Sequence, residues 1–205
     1  MVGESEESIP VRVSGVAPTG FRLIWPSAEF LPGYIAALSQ GWSADNTRGK
    51  LAADEELAKI AIDAAAFLDS LVDRDAKGDP VKLPDGSEVP RLPGYRRWLW
   101  DGEFCGSIGL RWQPGTEALP PHCLGHIGYA VVPWKQGRGY ATEALRRLLP
   151  EAHAEGLKYV EVTTDPDNFA SQRVIEANGG VLVEHFTKPE HFGSKPGLRY
   201  RIVFS

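Results

Sequence analysis

The sequence predicts an α/β (α+β) fold in which one strand–helix–strand crossover lies among hairpin-linked strands. Three observations predict it. An apolar run at 124–132 leads through a two-glycine turn into an amphipathic stretch, GRGYATEALRRLLPEAHAEG. Asp101-Gly102, a strong two-residue hairpin signal, sits between the strand-like runs YRRWLW and EFCGSIGLRW. The second half then reads hairpin, strand, glycine turn, helix, strand, helix, strand, strand, which is α/β texture.

Taken in order, residues 1–20 read as a loose tail or a first irregular strand. FRLIW (21–25) reads as a short strand ending at Pro26. A short helix follows Pro32, with Ser27 as a candidate N-cap and Gly41 as a stop. The span 54–74 gives the strongest helix signal. Leu57, Ile60, Ala61, Ala64, Phe67, Leu68 and Leu71 keep helical spacing, and Asp54 is placed to cap the start. The stretch after it, KGDPVKLPDGSEVPRLPG, is rich in Gly, Pro and charge, and reads as a loop suited to a mobile flap. QPGTEALPPHC is a second loop. The helix after the glycine turn stops at Gly156, and Pro150 predicts a kink or break inside it. LKYVEVTTD reads as a strand, NFASQRVIEANGG as a short helix ending in Gly179-Gly180, and VLVEHF and LRYRIVFS as the last two strands.

The chain has 205 residues, 42% hydrophobic and 24% charged, which suits one globular domain. A net charge of −5 argues against broad nucleic-acid or anionic-membrane binding. No apolar run approaches the length of a membrane span, and the acidic N-terminal stretch lacks the features of a signal peptide. Cys105 and Cys123 form no recognisable framework. A reduced, cytoplasmic protein is the expectation.

The glycine turn carries the chemistry. A helix start leaves backbone N–H groups unpaired, and its dipole favours anions. Gly137 and Gly139 remove side chains from that start, while Gln136 and Arg138 add donors. Together these read as a phosphate cradle, although a tight turn with a solvated arginine explains the glycines as well. The Walker lysine is absent. Thr142 stands where a dinucleotide fingerprint wants its third glycine. Asp165 is a passable acidic partner for such a fingerprint, but too little chain follows it for a second dinucleotide-binding half.

QGRGYA (136–141) resembles the coenzyme A pyrophosphate motif, Q/R-x-x-G-x-G/A, of the GNAT superfamily of N-acetyltransferases. The flanking GHIGYAVVP and ATEALRRLLPEA, and the later DNFASQRVIEANGG, are similar to segments of that superfamily. The combination of GHIGY, TDPDN-x-x-S-x-x-VIE-x-NGG and a closing RY most resembles a group of predicted bacterial acetyltransferases. The resemblance covers about residues 95–204. It implies one domain over 1–205, with a variable N-terminal part (1–94) and a core acyl-CoA-binding region (95–205). It also implies a mixed, mostly antiparallel twisted sheet of about six to seven strands. Helices cover both faces, and a V-shaped split opens between two parallel central strands, here 124–132 and 157–164. Acetyl-CoA is the implied cosubstrate, with no metal. The strand before the turn is implied to carry a bulge, and the backbone of Tyr129, Ala130 and Val131 to hold the pantetheine arm. Gln136, Gly137, Arg138, Gly139, Tyr140 and Ala141 would hold the pyrophosphate. Asn168 and Ser171 would contact the coenzyme, and Asn168 also suits an N-cap.

The pattern departs at Ile175, which stands where many members place a tyrosine acid; isoleucine has no proton to donate. Two readings of His126 stand side by side: a base for the acceptor amine, since its range is right, or a packed structural histidine. His122, Cys123 and His126 lack the partner pair of a metal site. Glu143 reads as a surface acid favoured by the helix dipole. Trp98, Trp100 and Trp112 read as sheet packing or as an acceptor wall, with Trp42, Tyr34 and the 76–94 loop as the other wall. An acyl-CoA-dependent N-acyltransferase acting by direct amine attack is the first expectation. A non-catalytic acyl-CoA-binding module and a nucleotide or redox protein are the others. The acceptor is a small-molecule amine or a protein or peptide amine. No nucleic-acid or membrane partner is expected, and the resemblance leaves room for a homodimer.

Overall fold

The computed structural model describes residues 18–83 and 86–204. Most of the 1–20 segment therefore lies outside the described residues. The chain first forms β1 (Arg22–Ile24), α1 (Leu31–Ser39), α2 (Lys50–Ile62), α3 (Ala64–Ser70) and β2 (Val72–Asp73). A small hairpin of β3 (Val81–Lys82) and β4 (Glu88–Val89) follows. Then come β5 (Gly94–Trp100), β6 (Phe104–Arg111), β7 (Ile127–Val131), α4 (Tyr140–Ala154), β8 (Tyr159–Thr164), α5 (Phe169–Glu176), β9 (Val181–Thr187) and β10 (Pro196–Val203).

The strands form two main sheets rather than one. The first runs β1-β5-β6-β7, with β2 also on β5, and the second runs β8-β10-β9. Every ladder is antiparallel. Helix α4 joins β7 to β8, the crossover that leaves two strands side by side and parallel. Yet β7 and β8 share no ladder. Their backbones meet where the His126 N–H donates to the Glu161 carbonyl (2.8 Å), and the sheet is open beyond that point. The expected split is therefore present. The expected bulge in the strand before the turn is not: β7 pairs β6 in unbroken register from Ile127↔Leu110 to Gly106↔Val131. The register shift falls one strand away, between Leu99 and Trp100.

Two cores flank the first sheet. On one face, α1–α3 close over Trp98, Phe104, Ala130 and Val132. Tyr34 stacks on Trp98 with ring centroids 4.7 Å apart. On the other face, α4 buries Ala144, Leu145, Leu148 and Ala152, a helical stripe, against Ile108, Leu110 and Ile127. The same core continues under the second sheet through Val160, Val162, Tyr200 and Ile202, so α4 bridges both sheets.

Several local expectations change. The 54–74 helix starts earlier and is broken in two. Asp63 adopts an extended conformation (φ −155°) and its carboxylate accepts from the Ala66 N–H, capping α3. Asp54 sits inside α2, paired with Lys50. Ser27 does not cap α1, whose N-cap is Phe30; Ser27 contributes its carbonyl to the amides of Phe30 and Leu31. Helix α4 runs through Pro150 without interruption. Pro150 and Arg146, whose carbonyl loses its partner there, are both exposed, so water can satisfy that group. Glu143 is buried, not a surface acid. It binds Arg146 and Arg147 at 2.6 and 2.5 Å, and the Arg146 bond leads in holding its carboxyl below the usual range. Trp98, Trp42 and Tyr34 are core residues.

Candidate functional site

The split between β7 and β8 leads directly into the two-glycine turn. A 3-10 turn over Pro133–Lys135 follows β7, and the chain then enters α4. Gly137 (φ 71°) and Gly139 (φ 82°) occupy the left-handed region that side chains disfavour. A Cβ built at either would meet nothing within 4 Å, so the space in front of them is open. No side chain among the described residues caps α4. Among the described residues, the backbone N–H groups of Gly137, Arg138, Gly139, Tyr140 and Ala141 find no protein acceptor. Arg138 beside them is exposed and makes no ion pair among the described residues. A fan of unpaired amides at the positive end of a fifteen-residue helix is an anion-binding arrangement.

The turn is held from behind. Asp101, in the β5–β6 hairpin, accepts from Lys135 Nζ (2.9 Å) and from the Tyr140 hydroxyl, so both ends of the loop are tied to one carboxylate. Burial alone would raise the Asp101 carboxyl, but the Tyr140 and Lys135 hydrogen bonds outweigh it and hold it down to about 2. Burial and the same bond push the Tyr140 phenol up to about 12. Sequence reasoning placed Tyr140 in the loop but missed Asp101, read only as a turn former.

Strand alternation decides which backbone groups of β7 face the split. The Val132 N–H bonds the Cys105 carbonyl on β6 (3.0 Å). A Cβ built at Gly106 would lie 2.2 Å from the Ala130 carbonyl oxygen, so that carbonyl also points to β6. Period-two alternation therefore turns the backbones of Tyr129 and Val131 to the open edge. There the Val131 carbonyl accepts from Gln136 Nε2 (3.2 Å). Of the three expected positions, Ala130 faces the ladder rather than the split.

Across the gap, Asn168 caps α5, accepting from the Ser171 N–H at 3.0 Å. Ser171 Oγ lies 2.8 Å from the Tyr129 hydroxyl, so strand and helix meet through two hydroxyls. Burial pushes the Tyr129 phenol up to about 12, and the Ser171 contact opposes that shift only in part. Ile175, at 0% exposure, belongs to the core and points at no solvent-accessible gap.

His126 is also 0% exposed. Its Nδ1 accepts from the Glu161 N–H (2.9 Å), which places the imidazole proton on Nε2. The lone pair a base would use is thus occupied. Burial holds this imidazole below its ordinary range, against the opposing pull of the Glu161 charge. No cluster of three or more His, Cys, Asp or Glu able to hold a metal occurs among the described residues. No helix among them is long and apolar enough to cross a membrane.

On the α1–α3 side of the first sheet, next to the split, lies a cavity of about 310 Å³. Its floor is the small-residue face of β5, β6 and β7, where Gly109 stands opposite Gly128, and the 76–94 loop supplies one wall through Pro90, Arg91 and Leu92. Sequence reasoning named that loop as a wall but did not find the floor.

A sheet split beside an amide-lined helix start is an arrangement suited to a phosphate-bearing ligand whose far end would lie at the gap. Residues 87–181 match the family model described as the acetyltransferase (GNAT) domain, so the central part of the chain is similar to that family. Two solved structures share the fold over most of their length. One is the Microcin C7 self-immunity acetyltransferase MccE in complex with acetyl-CoA and AMP, at 15% identity and TM-score 0.60, covering 91% of this chain and 94% of that one. The other is RimL, the ribosomal L7/L12 alpha-N-protein acetyltransferase in complex with coenzyme A. It has 14% identity and TM-score 0.58, with 91% and 96% coverage. No curated protein matches the sequence.

Proposed function

We propose that the protein transfers an acetyl group from acetyl-CoA to a primary amine by direct attack of the amine on the thioester. The observation that carries this reading is the row of amides from Gly137 to Ala141, unpaired among the described residues, at the mouth of the sheet split. They suit the pyrophosphate, with Arg138 adding charge. The open edge of β7 at Tyr129 and Val131 offers backbone groups to the pantetheine arm. A backbone N–H of that edge would support the oxyanion formed when the amine attacks. Among the described residues the carboxamide nitrogen of Asn168 has no partner, so it can donate while its oxygen caps α5.

The amine enters from the cavity on the α1–α3 side. In this reading His122, which lines that cavity, takes the amine's proton. Burial, and then the nearby His191, hold its imidazole below the usual range, so it is neutral and able to accept. His126 instead pins β7 to β8. With Ile175 in the core, Tyr129 is the hydroxyl left beside the split. Its raised pKa keeps it protonated, so it supports the departing thiolate with a hydrogen bond more than it surrenders a proton.

Titration with acetyl-CoA and with NAD tests the coenzyme, and free-thiol release with an amine panel tests transfer. Acetyl-CoA binding without NAD binding, plus amine-dependent thiol release, is the expected result. Tyr129→Phe should lower turnover by about 10-fold, the scale of one hydrogen bond to a charged group, with coenzyme affinity held. NAD binding in place of acetyl-CoA overturns the reading. Acetyl-CoA binding without transfer to any amine leaves a binding module instead of an enzyme.

A further inference from the structure

We infer that the acceptor is a small amine that also carries a carboxylate or phosphate, and that Arg111 recognises this anion. The inference rests on the acetyltransferase reading and adds the acceptor's chemistry to it.

The cavity beside the split is cationic in a chain whose net charge is −5. Three arginines line it, Arg91, Arg96 and Arg111, against one carboxylate, Asp73. Two of the three are spoken for. Arg96 binds Glu56 (3.2 Å) and approaches the Tyr34 hydroxyl (3.3 Å). Arg91 lies 3.7 Å from Asp73 and donates to the Asp79 carbonyl (2.9 Å). Arg111 makes no side-chain hydrogen bond or ion pair among the described residues. Asp73 is itself engaged by the amides of Lys77 and Gly78 (2.8 and 3.0 Å), so it does not turn to Arg111.

The position of Arg111 gives the free charge a use. It ends β6, and its guanidinium reaches over β7, where a Cβ built at Gly128 would come within 3.2 Å of Nη2. Gly128 neighbours Tyr129, which faces the split, and stands opposite Gly109, so the floor between Arg111 and the gap is bare backbone. A ligand lying on that floor has its anion at Arg111 and its other end at the split. The fork of a guanidinium suits a carboxylate or phosphate in two-point contact. A cavity of about 310 Å³ is at the small end for ligand sites, which favours an amino-acid-sized acceptor.

The test compares paired amines that differ only in the anion: β-alanine against β-alaninamide, and O-phosphoethanolamine against ethanolamine. Thiol release from acetyl-CoA gives kcat/KM for each with wild type, Arg111→Gln and Arg111→Lys. Calorimetry measures binding of β-alanine and O-phosphoethanolamine to protein saturated with coenzyme A. The expected wild-type preference for the anionic partner is about 10- to 100-fold, the scale of a hydrogen bond to a charged group. It should fall toward unity in Arg111→Gln and be kept in part by Arg111→Lys. Whichever pair shows it identifies carboxylate or phosphate. No preference in wild type, or one that survives Arg111→Gln, overturns the inference. If no amine is acetylated, the catalytic reading fails separately. Arg111-dependent binding of either anion to the coenzyme complex then still supports the recognition, and its absence overturns it.

Discussion

His126 is the residue on which the two sheets hinge, and replacing it should damage stability far more than chemistry. Its Nδ1 accepts the half-buried Glu161 N–H at 2.9 Å, and its backbone N–H reaches the Glu161 carbonyl at 2.8 Å. His126→Ala leaves the first of these donors without a partner, which costs about 1–3 kcal/mol, and the void left by a fully buried ring adds to that. In a chain of 205 residues each kcal/mol moves the melting temperature by about 2–4 °C, so the lost bond alone predicts a drop of roughly 2–12 °C. His126→Asn places an amide oxygen near the Nδ1 position and should recover most of the loss. The pH dependence follows from the depressed imidazole. The unfolded chain takes up the proton first as pH falls, so stability is fully present above about pH 6.5 and is lost below it; His126→Asn lacks that component. Thermal melts across pH, read beside turnover, check this. The acid limb of the rate profile should survive in His126→Asn and vanish in His122→Gln. A His126→Asn variant with unchanged melting temperature and turnover lowered 100-fold or more would show that His126 is the base after all.

Gly139→Leu should keep the fold, because its Cβ meets no neighbour, while the left-handed strain of about 1–2 kcal/mol and the side chain itself weaken acetyl-CoA binding at least 10-fold by calorimetry. Ile175→Tyr forces a larger polar ring into a filled core. It should cost about 1–3 kcal/mol in denaturant melts, without the gain in turnover expected of a restored acid. Asp101→Asn removes the charge shared by Lys135 and Tyr140 and should weaken coenzyme binding several-fold, with the melting temperature the control for general unfolding.

The parts of the fold legible in the sequence are those with local punctuation. Gly137 and Gly139 announced the turn because the backbone there needs positive φ, and Asp101-Gly102 announced the hairpin for the same kind of reason. The break at Asp63 was hidden because the apolar spacing continues across it, and a single extended residue leaves no periodic mark. Pro150 misled in the other direction: its effect depends on whether the freed carbonyl faces solvent, which spacing does not record. Within the candidate site, the two-glycine loop was readable as one contiguous motif. The cavity beside the split was not, since Arg111, Gly109, Gly128 and Arg91 come together only through the sheet register and a distant loop. The ambiguity of His126 was likewise a matter of partners: strand position allowed either role, and the Glu161 N–H occupies the one lone pair of the neutral ring.

The Asp101 anchor also bears on how tightly and how fast a coenzyme is taken up. Ordering one rotamer-rich side chain on association costs about 0.5–1.5 kcal/mol, and a loop that must first find its shape lowers the capture rate. Here Lys135 and Tyr140 are fixed before any ligand arrives, their conformational entropy already surrendered during folding. In the proposed coenzyme site, the amides between them would therefore meet an incoming pyrophosphate as a rigid template, and the attraction they supply would go into affinity and residence time rather than into organising the loop.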